Sequence, residues 1–194
     1  MHTIPINLYS FEELAPAVQQ QVVERERYIN VDDSFWYEPI IEYWTDKLHQ
    51  RGFEEAKILF SGFGSQGDGA CFTATVNIDQ FLQAHKLQRH FRKVFTAAKQ
   101  SLLWVSIRHS YRYCFATSTD VEIQYDGDQE IDDELERFER VIQEEREKLG
   151  NAIYRSLEEE FAYQMSDEVV EETLVATAYD YLSDGRRFTV PVPA

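Results

Sequence analysis

The residues best suited to chemistry lie in one glycine-rich stretch, LFSGFGSQGDGACFTATV, which runs from Leu59 to Val76. The stretch is typical of a strand, a loop and a second strand. Its loop gathers hydroxyl, amide, carboxylate and thiol groups among four glycines: Ser61, Ser65, Gln66, Asp68 and Cys71. Glycines at this density predict positive φ angles or a bulge.

A nucleophilic site becomes conceivable if this loop faces the later segment IRHSYRYCF. Cys71 or Ser61 would then meet His109, and Asp68 or Asp120 would orient the imidazole. A thiol or hydroxyl needs such a neighbouring base to become nucleophilic at neutral pH. Two other interpretations stay open: a cradle for a small ligand or nucleotide, and a structural turn in which Asp68 bonds its own loop.

Established phosphate-binding and hydrolase motifs do not fit the loop. No lysine follows its last glycine, so the Walker A pattern is absent, and the loop does not open a helix as a dinucleotide-binding fingerprint does. The flanking strands do not predict the parallel sheet of an α/β-hydrolase. Catalytic residues therefore stay unassigned.

Metal ligands are not evident from spacing. His85 and His90 are five residues apart rather than four, and the acidic run Asp126–Asp133 lacks a glycine at the sixth place, where a calcium loop needs one. Cys71 and Cys114 form no Cys-x-x-Cys pair, and both are expected to be buried packing residues. The sequence thus predicts no metal and no cofactor.

The charge distribution is uneven. The formal net charge is −16, and residues 115–172 hold 20 acidic against 5 basic side chains. Residues 80–119 hold none that are acidic and 7 that are basic. The two sections either neutralise each other or leave an outward acidic face. Candidates for that face are seven carboxylates of the acidic section: Asp132, Asp133, Glu136, Glu144, Glu147, Glu158 and Glu159.

This balance excludes direct nucleic-acid binding, which needs lysine and arginine to neutralise phosphates. It favours a protein partner with a basic surface, which an acidic face would meet as a DNA mimic. Tyr111 and Tyr113 alternate in a predicted strand and are further candidates for ligand or partner contact. A homodimer through exposed aromatic side chains stays open.

The elements that must position these residues predict an α+β fold: a mainly antiparallel sheet of about four to five strands with helices packed on it. Ser10 and Glu13 form a capping box before the first helix, and a second helix starts at Asp32–Ser34. One basic helix covers residues 79–103, a strand covers 111–125, and a long helix starts near Asp128. Gly150 interrupts that helix as an interior weakness.

Chain length and composition predict one domain over residues 1–194. No apolar run is long enough to cross a bilayer, and the first residues do not resemble a signal peptide. A cytoplasmic protein is the expectation.

The segment LFSGFGSQGDGACF, the later RHSYRYCFATSTDVEI and the acidic C-terminal helix with its LSDGRRF ending resemble a family of small phage and prophage accessory proteins. The resemblance follows the chain from Leu14 to Phe188, and its specific part is the octet Ser65–Phe72. Relatives often carry a bulkier residue at Gly64. The matching positions include Ser61, Ser65 and His109, with no catalytic role attached.

Members of this family are often labelled antitoxin-like. The resemblance and the charge together predict a phage-type protein that binds and neutralises a toxin or a host-defence factor. The alternative is a small-ligand or nucleotide-binding protein, or a hydrolase, that uses the Ser65–Phe72 loop.

Overall fold

The computed structural model describes residues 5–127 and 130–189, so Asp128 and Gln129, where the long helix was predicted to start, lie outside it. Within this part the chain folds into six α-helices and four strands. In chain order they are α1 Pro16–Arg25, α2 Glu38–Gln50, β1 Phe53–Phe60, β2 Ala70–Val76, α3 Ile78–Ala84, α4 Arg92–Lys99, β3 Leu103–His109, β4 Thr119–Tyr125, α5 Asp132–Gln164 and α6 Asp167–Ala176. The predicted α+β class is confirmed.

Two compact units can be distinguished. The first comprises the residues up to Tyr37 and those from Glu159 onward, and the second is Glu38–Glu158. The single domain expected from the sequence stays a prediction.

The first unit has its own apolar core. Ser10 donates its main-chain N–H to the Glu13 carboxylate at 2.9 Å, as the predicted capping box requires. The capping box precedes a short 3₁₀ turn and not α1 itself, which begins at Pro16. Proline is tolerated there because the N–H groups of the first helical turn have no partner within the helix. The core is formed by seven buried side chains: Phe11, Leu14, Val22, Val23, Val170, Leu174 and Tyr181.

The second unit contains an antiparallel sheet in the order β1-β2-β3-β4. β2 is buried on both faces for most of its length, whereas β3 alternates between buried and outward residues. On α5, buried residues recur at helical spacing, which gives the helix one inner side: Phe138, Ile142, Leu149, Ile153 and Leu157.

Three predicted elements differ from the structure. α2 starts at Glu38 rather than at Asp32–Ser34. The basic helix is two helices, because Lys86 takes a positive φ of 58° and the Leu87 N–H turns back to the Leu82 carbonyl. The strand predicted from Tyr111 starts only at Thr119.

None of the helices in the described part of the chain is long and apolar enough to span a membrane.

Candidate functional site

Three potential metal ligands or reactive groups converge at one end of the sheet. The ligand atoms of Cys71, His109 and Cys114 all lie within 4.8 Å of one another. Cys71 is the second residue of β2 and His109 is the last of β3. The antiparallel register pairs Ala74 with Ile107. If this register continues for three more residues, Cys71 lies beside the end of β3. The pairing of the two strands is therefore enough to bring Cys71 and His109 together.

The third group arrives because the chain after β3 curls back. Residues 110–118 form turns and bends instead of a strand. His109 Nε2 lies 3.1 Å from the Tyr113 carbonyl oxygen, and the Ser61 hydroxyl donates to the Cys114 carbonyl at 3.4 Å. Within this curl the Phe115 N–H donates to the Ser118 hydroxyl at 3.1 Å. These bonds hold Cys114 against β2.

Two glycines permit the close approach. A Cβ atom on Gly69 would lie 2.7 Å from the Phe115 Cα, and one on Gly150 would lie 3.0 Å from the Ala70 carbonyl oxygen and 3.2 Å from the Ala116 Cα. Gly150 is therefore not a break in α5, which continues through it, but the place where the sheet edge and the curl rest on the helix. Any other residue would push these backbones apart.

A buried cation borders the cluster. Arg146 is only 6% exposed, and its guanidinium donates to the Thr119 carbonyl and to the Glu147 carboxylate. Its Nε has no hydrogen-bond partner among residues 5–127 and 130–189. A positive charge in this position favours a thiolate over a thiol.

Burial outweighs that charge for the free thiol. Cys71 is 1% exposed, and burial raises its pKa to about 11, while a hydrogen bond with Ser118 and the charge of Arg146 act in the opposite direction. The thiol of Cys71 is thus protonated at neutral pH and is a poor nucleophile by itself. Cys114 is half-buried, so the predicted burial of both cysteines holds fully only for Cys71.

The glycine loop is organised by its own carboxylate. Asp68 Oδ2 accepts the N–H groups of Gly64 at 3.1 Å and Ser65 at 2.7 Å. Gly64 and Gly67 have φ angles of 151° and 109°, as the glycine density predicts. The interpretation of a turn in which Asp68 bonds its own loop is therefore confirmed, and Ser65 and Gln66 are exposed at its tip.

The loop is also held from the side of α5. Phe63 stacks on Tyr154 with ring centroids 5.5 Å apart, and the Tyr154 hydroxyl donates to the Gly62 carbonyl at 3.3 Å. Burial raises the pKa of Tyr154, with further contributions from Glu158 and Asp68. The hydroxyl therefore stays protonated and available as a donor.

The structure corrects part of the expected constellation. It brings Cys71 and His109 together, but the Asp68 carboxylate serves its own loop and Asp120 is exposed on β4 opposite Arg108. The group that holds the imidazole is instead the Tyr113 carbonyl. Tyr111 and Tyr113 belong to no strand, and both are more than half exposed.

Sequence reasoning missed Cys114, Ser118 and Arg146 as neighbours of Cys71. The two cysteines are 43 residues apart and share no motif spacing. One indication in the sequence could have found them. Although the two cysteines form no Cys-x-x-Cys pair, the predicted sheet could have been used to ask whether Cys71, His109 and Cys114 lie close together in space. The false strand over residues 111–125 removed Cys114 from consideration.

The acidic candidates on α5 are mostly solvent-exposed. Glu147 is half-buried and pairs with Arg146 at 3.1 Å, while the other six are exposed: Asp132, Asp133, Glu136, Glu144, Glu158 and Glu159. In the second unit, neutralisation by the basic section is limited. Of its seven lysines and arginines, only Arg108 forms an ion pair with an acidic-section carboxylate in the described part of the chain, at 2.9 Å from Glu122.

A second acidic feature lies wholly within the first unit. A groove of about 780 Å³ has Phe11, Val175 and Ala176 among its lining residues. Gln19 and four glutamates complete the lining: Glu12, Glu168, Glu171 and Glu172. None of these four carboxylates has an ion-pair or hydrogen-bond partner among the described residues.

Comparison with known families adds one assignment. Residues 36–167 match the model of a domain of unknown function, DUF8835. The chain belongs to the DUF8835 family. No curated protein and no solved structure matches the chain. The DUF8835 region contains the glycine loop, Cys71, His109 and Cys114, whereas the groove residues Glu168–Glu172 follow it.

Proposed function

We propose that this DUF8835 protein binds and neutralises a protein partner with a basic surface, and that the groove of the first unit is where the partner docks. The observation that carries the proposal is a groove whose lining combines apolar side chains with four carboxylates that have no partner among the described residues: Glu12, Glu168, Glu171 and Glu172. A lining of this mixed kind complements a basic amphipathic segment in polarity and charge.

The apolar part of the lining supplies the anchoring contact. Phe11 is 5% exposed and belongs to the core, and Val175 on α6 is 44% exposed. Covering this exposed valine would favour binding, because each Å² of apolar surface removed from water contributes roughly 25 cal/mol. The carboxylates then set which segments are accepted and in which orientation.

The remainder of the charge serves long-range attraction. With a net charge of −16, the protein draws basic partners toward it before contact, and this attraction weakens as salt screens it. A partner that normally binds nucleic acid offers the required basic surface, so the exposed carboxylates act in place of phosphates. The resemblance to phage accessory proteins suggests a toxin or a host-defence factor as that partner.

The alternative proposal, a ligand site or hydrolase at Ser65–Phe72, has less support. Asp68 is engaged by two main-chain N–H groups of its own loop, and the buried Cys71 thiol is protonated at neutral pH. Neither group is free to activate a nucleophile or to orient a base.

The test compares two triple variants with the same change in net charge. Glu168→Gln, Glu171→Gln and Glu172→Gln neutralise carboxylates of the groove, whereas Glu136→Gln, Glu144→Gln and Glu158→Gln neutralise exposed carboxylates predicted from the sequence. The probe is a synthetic amphipathic helix with lysines on one face and leucines on the other. Binding is measured by fluorescence anisotropy at low and high salt.

We expect the groove variant to weaken binding by at least about tenfold, a loss of about 1.4 kcal/mol, and the control variant to change it little. The natural partner is then sought by capture from lysate, and it must be retained by the control and lost by the groove variant. Equal losses for the two triple variants would place recognition in the overall charge instead of the groove. Binding that ignores salt would contradict the proposal as a whole.

A further inference from the structure

We propose that Cys71, His109 and Cys114 form a binding site for a thiophilic transition-metal ion, with Zn²⁺ as the probe ion. The proposal rests on convergence: the three ligand atoms lie within 4.8 Å of one another, although they come from a strand start, a strand end and a loop. This site lies outside the groove and does not depend on partner binding.

The separations suit a tetrahedral ion. Zinc–sulfur bonds of about 2.3 Å and zinc–nitrogen bonds of about 2.0–2.1 Å put neighbouring ligand atoms roughly 3.5–3.8 Å apart. The ligand atoms are at most 4.8 Å apart, so each pair must approach by about 1 Å to bind the ion. Rotation about side-chain bonds can provide this movement. The two thiols and the imidazole also select the class of ion, because thiolates favour zinc or cuprous copper over magnesium or calcium.

The surroundings of His109 match those of a metal-bound imidazole. Its Nε2 lies 3.1 Å from the Tyr113 carbonyl oxygen, and a carbonyl can only accept a hydrogen bond. Nε2 therefore carries the proton, and Nδ1 keeps its lone pair for a ligand role. Metal-bound histidines use this arrangement to fix the ring and its tautomer.

The surroundings of the sulfurs match as well. Cys71 lies near the Ser118 hydroxyl and the Arg146 guanidinium, and both favour a charged sulfur over a neutral one. Arg146 is buried, and its Nε lacks a partner in the described part of the chain. Metal-bound sulfurs keep a partial negative charge, which this guanidinium favours, and in the described part of the chain its ion-pair partner is Glu147.

Three protein ligands leave one position of a tetrahedral ion to water or to an added ligand. Closed structural zinc sites use four protein ligands, whereas sites with three keep an exchangeable position. His109 and Cys114 are only half-buried, so the site has access to solvent. The structure thus assigns to the DUF8835 region an exchangeable metal site rather than a sealed structural one.

The experiment titrates the full-length protein, reduced with a phosphine and stripped by a chelator, with Co²⁺. Cobalt in a tetrahedral sulfur site shows intense visible bands and thiolate-to-cobalt charge-transfer absorption. We expect one equivalent to bind and one equivalent of Zn²⁺ to displace it. Cys114→Ala and His109→Gln should weaken binding by more than about 100-fold, beyond the 10–100-fold typical of an outer partner.

His90→Gln is the matched control, because His90 is exposed and stands outside the cluster. It should bind Co²⁺ like the wild type. Cys71→Ser replaces a fully buried residue and risks unfolding, so the conclusion rests on the two half-buried ligands, with circular dichroism confirming their fold. The groove triple variant should also keep full metal affinity, which separates this proposal from the proposed function.

Three results would overturn the proposal. The first is a reduced wild type that binds Co²⁺ no more tightly than Cys114→Ala. The second is a cobalt spectrum without thiolate charge transfer, which would place the ion elsewhere. The third is a Cys71–Cys114 disulfide that persists in the purified protein and reforms in preference to metal binding, because the adjacent sulfurs would then serve as a redox pair.

Discussion

Gly69 and Cys114 lie so close together that a Cβ atom on Gly69 would be 2.8 Å from the Cys114 carbonyl oxygen. The same atom would lie 2.7 Å from the Phe115 Cα. Two stretches of main chain therefore touch at this point, which only glycine allows. Because Cys71 follows Gly69 by two residues, this contact is what brings the two cysteines of the chain together.

Gly69→Ala is expected to lower the free energy of unfolding by about 1–3 kcal/mol, the range for overpacking a well-filled site. Urea unfolding followed by circular dichroism measures it. Gly62→Ala is the matched control, since its Cβ would make only an ordinary contact, 3.5 Å from Asp68 Oδ2. Similar losses in the two variants would mean that loop flexibility, and not the close approach, is responsible.

Gly150→Ala tests the other close approach. Alanine in a helix interior is normally about 1 kcal/mol more stable than glycine. Here the new Cβ would crowd the Ala70 carbonyl oxygen at 3.0 Å and the Ala116 Cα at 3.2 Å, and neither main-chain atom moves easily. We expect a net loss of about 1 kcal/mol instead of a gain.

The control for Gly150→Ala is Asn151→Ala, at the adjacent exposed position of α5. This change should stabilise the protein by a few tenths of a kcal/mol, through helix propensity alone. Thermal and urea unfolding of both variants would measure the two effects. Stabilisation by Gly150→Ala would show that the curl after β3 does not rest firmly on the helix.

Local chemistry explains what the sequence could predict. The Ser10–Glu13 box and the Asp68 turn each depend on residues within a few positions, and both are found in the structure. Strand β2 and the antiparallel α+β class follow from similarly local patterns. The pairing of Cys71 with His109 also followed, because it needs only the register of two neighbouring strands.

Long-range packing decided the rest. Tyr111 and Tyr113 alternate as a strand would, but the His109 imidazole and the Ser61 hydroxyl bond the main chain at Tyr113 and Cys114 and fold it back. Lys86 looks like a helix residue, yet the chain turns there because Leu87 bonds Leu82. Such contacts have no sequence spacing of their own, so a pattern cannot reveal them.

Asp68→Asn and Gln66→Ala decide whether the glycine loop is structural or binds a ligand. One carboxylate oxygen of Asp68 accepts two main-chain N–H groups. The neutral amide oxygen of asparagine is a weaker acceptor, so Asp68→Asn should lower the free energy of unfolding by about 1–2 kcal/mol. Gln66 is exposed and should change stability by less than about 0.5 kcal/mol. Thermal unfolding checks both values. If either change instead abolishes binding of the basic peptide while stability is unchanged, the loop itself is the binding site.

The buried Glu145 couples stability to acid pH. It accepts hydrogen bonds from Arg51 and His85, and the His85 bond above all lowers the pKa of Glu145 from 4.5 to about 2. A carboxyl whose pKa is lower in the folded than in the unfolded protein stabilises the fold at every pH above the unfolded pKa. For Glu145 this contribution to the free energy of unfolding is at most about 3 kcal/mol, and it is lost as pH falls from about 4.5 toward 2. Glu145→Gln should therefore be less stable than wild type near pH 6 and should flatten the acid limb.

Glu144→Gln is the control for the acid limb, because the neighbouring Glu144 is exposed and has no partner in the described part of the chain. It makes the same change in net charge. Urea unfolding as a function of pH should leave its acid limb like that of the wild type. Parallel curves for Glu145→Gln and the wild type would mean that the carboxylate is not ionically engaged.

His85 gives the opposite dependence at higher pH. Its Nε2 lies 3.3 Å from Glu145 Oε1, and its Nδ1 lies 2.8 Å from the Phe81 carbonyl oxygen. These contacts, that with Glu145 above all, raise the pKa of His85 above the ordinary 6.5. Burial and the charge of Arg51 act in the opposite direction. The stability that this adds is complete below about pH 6.5 and is lost as pH rises through the native pKa. His85→Gln should therefore be destabilised near pH 6 and should approach the wild type near pH 9, while exposed His90→Gln follows the wild type throughout. A constant difference between His85→Gln and the wild type over that range would assign the effect to the stacking of the ring on Phe81, whose centroid is 4.3 Å away, instead of to its charge.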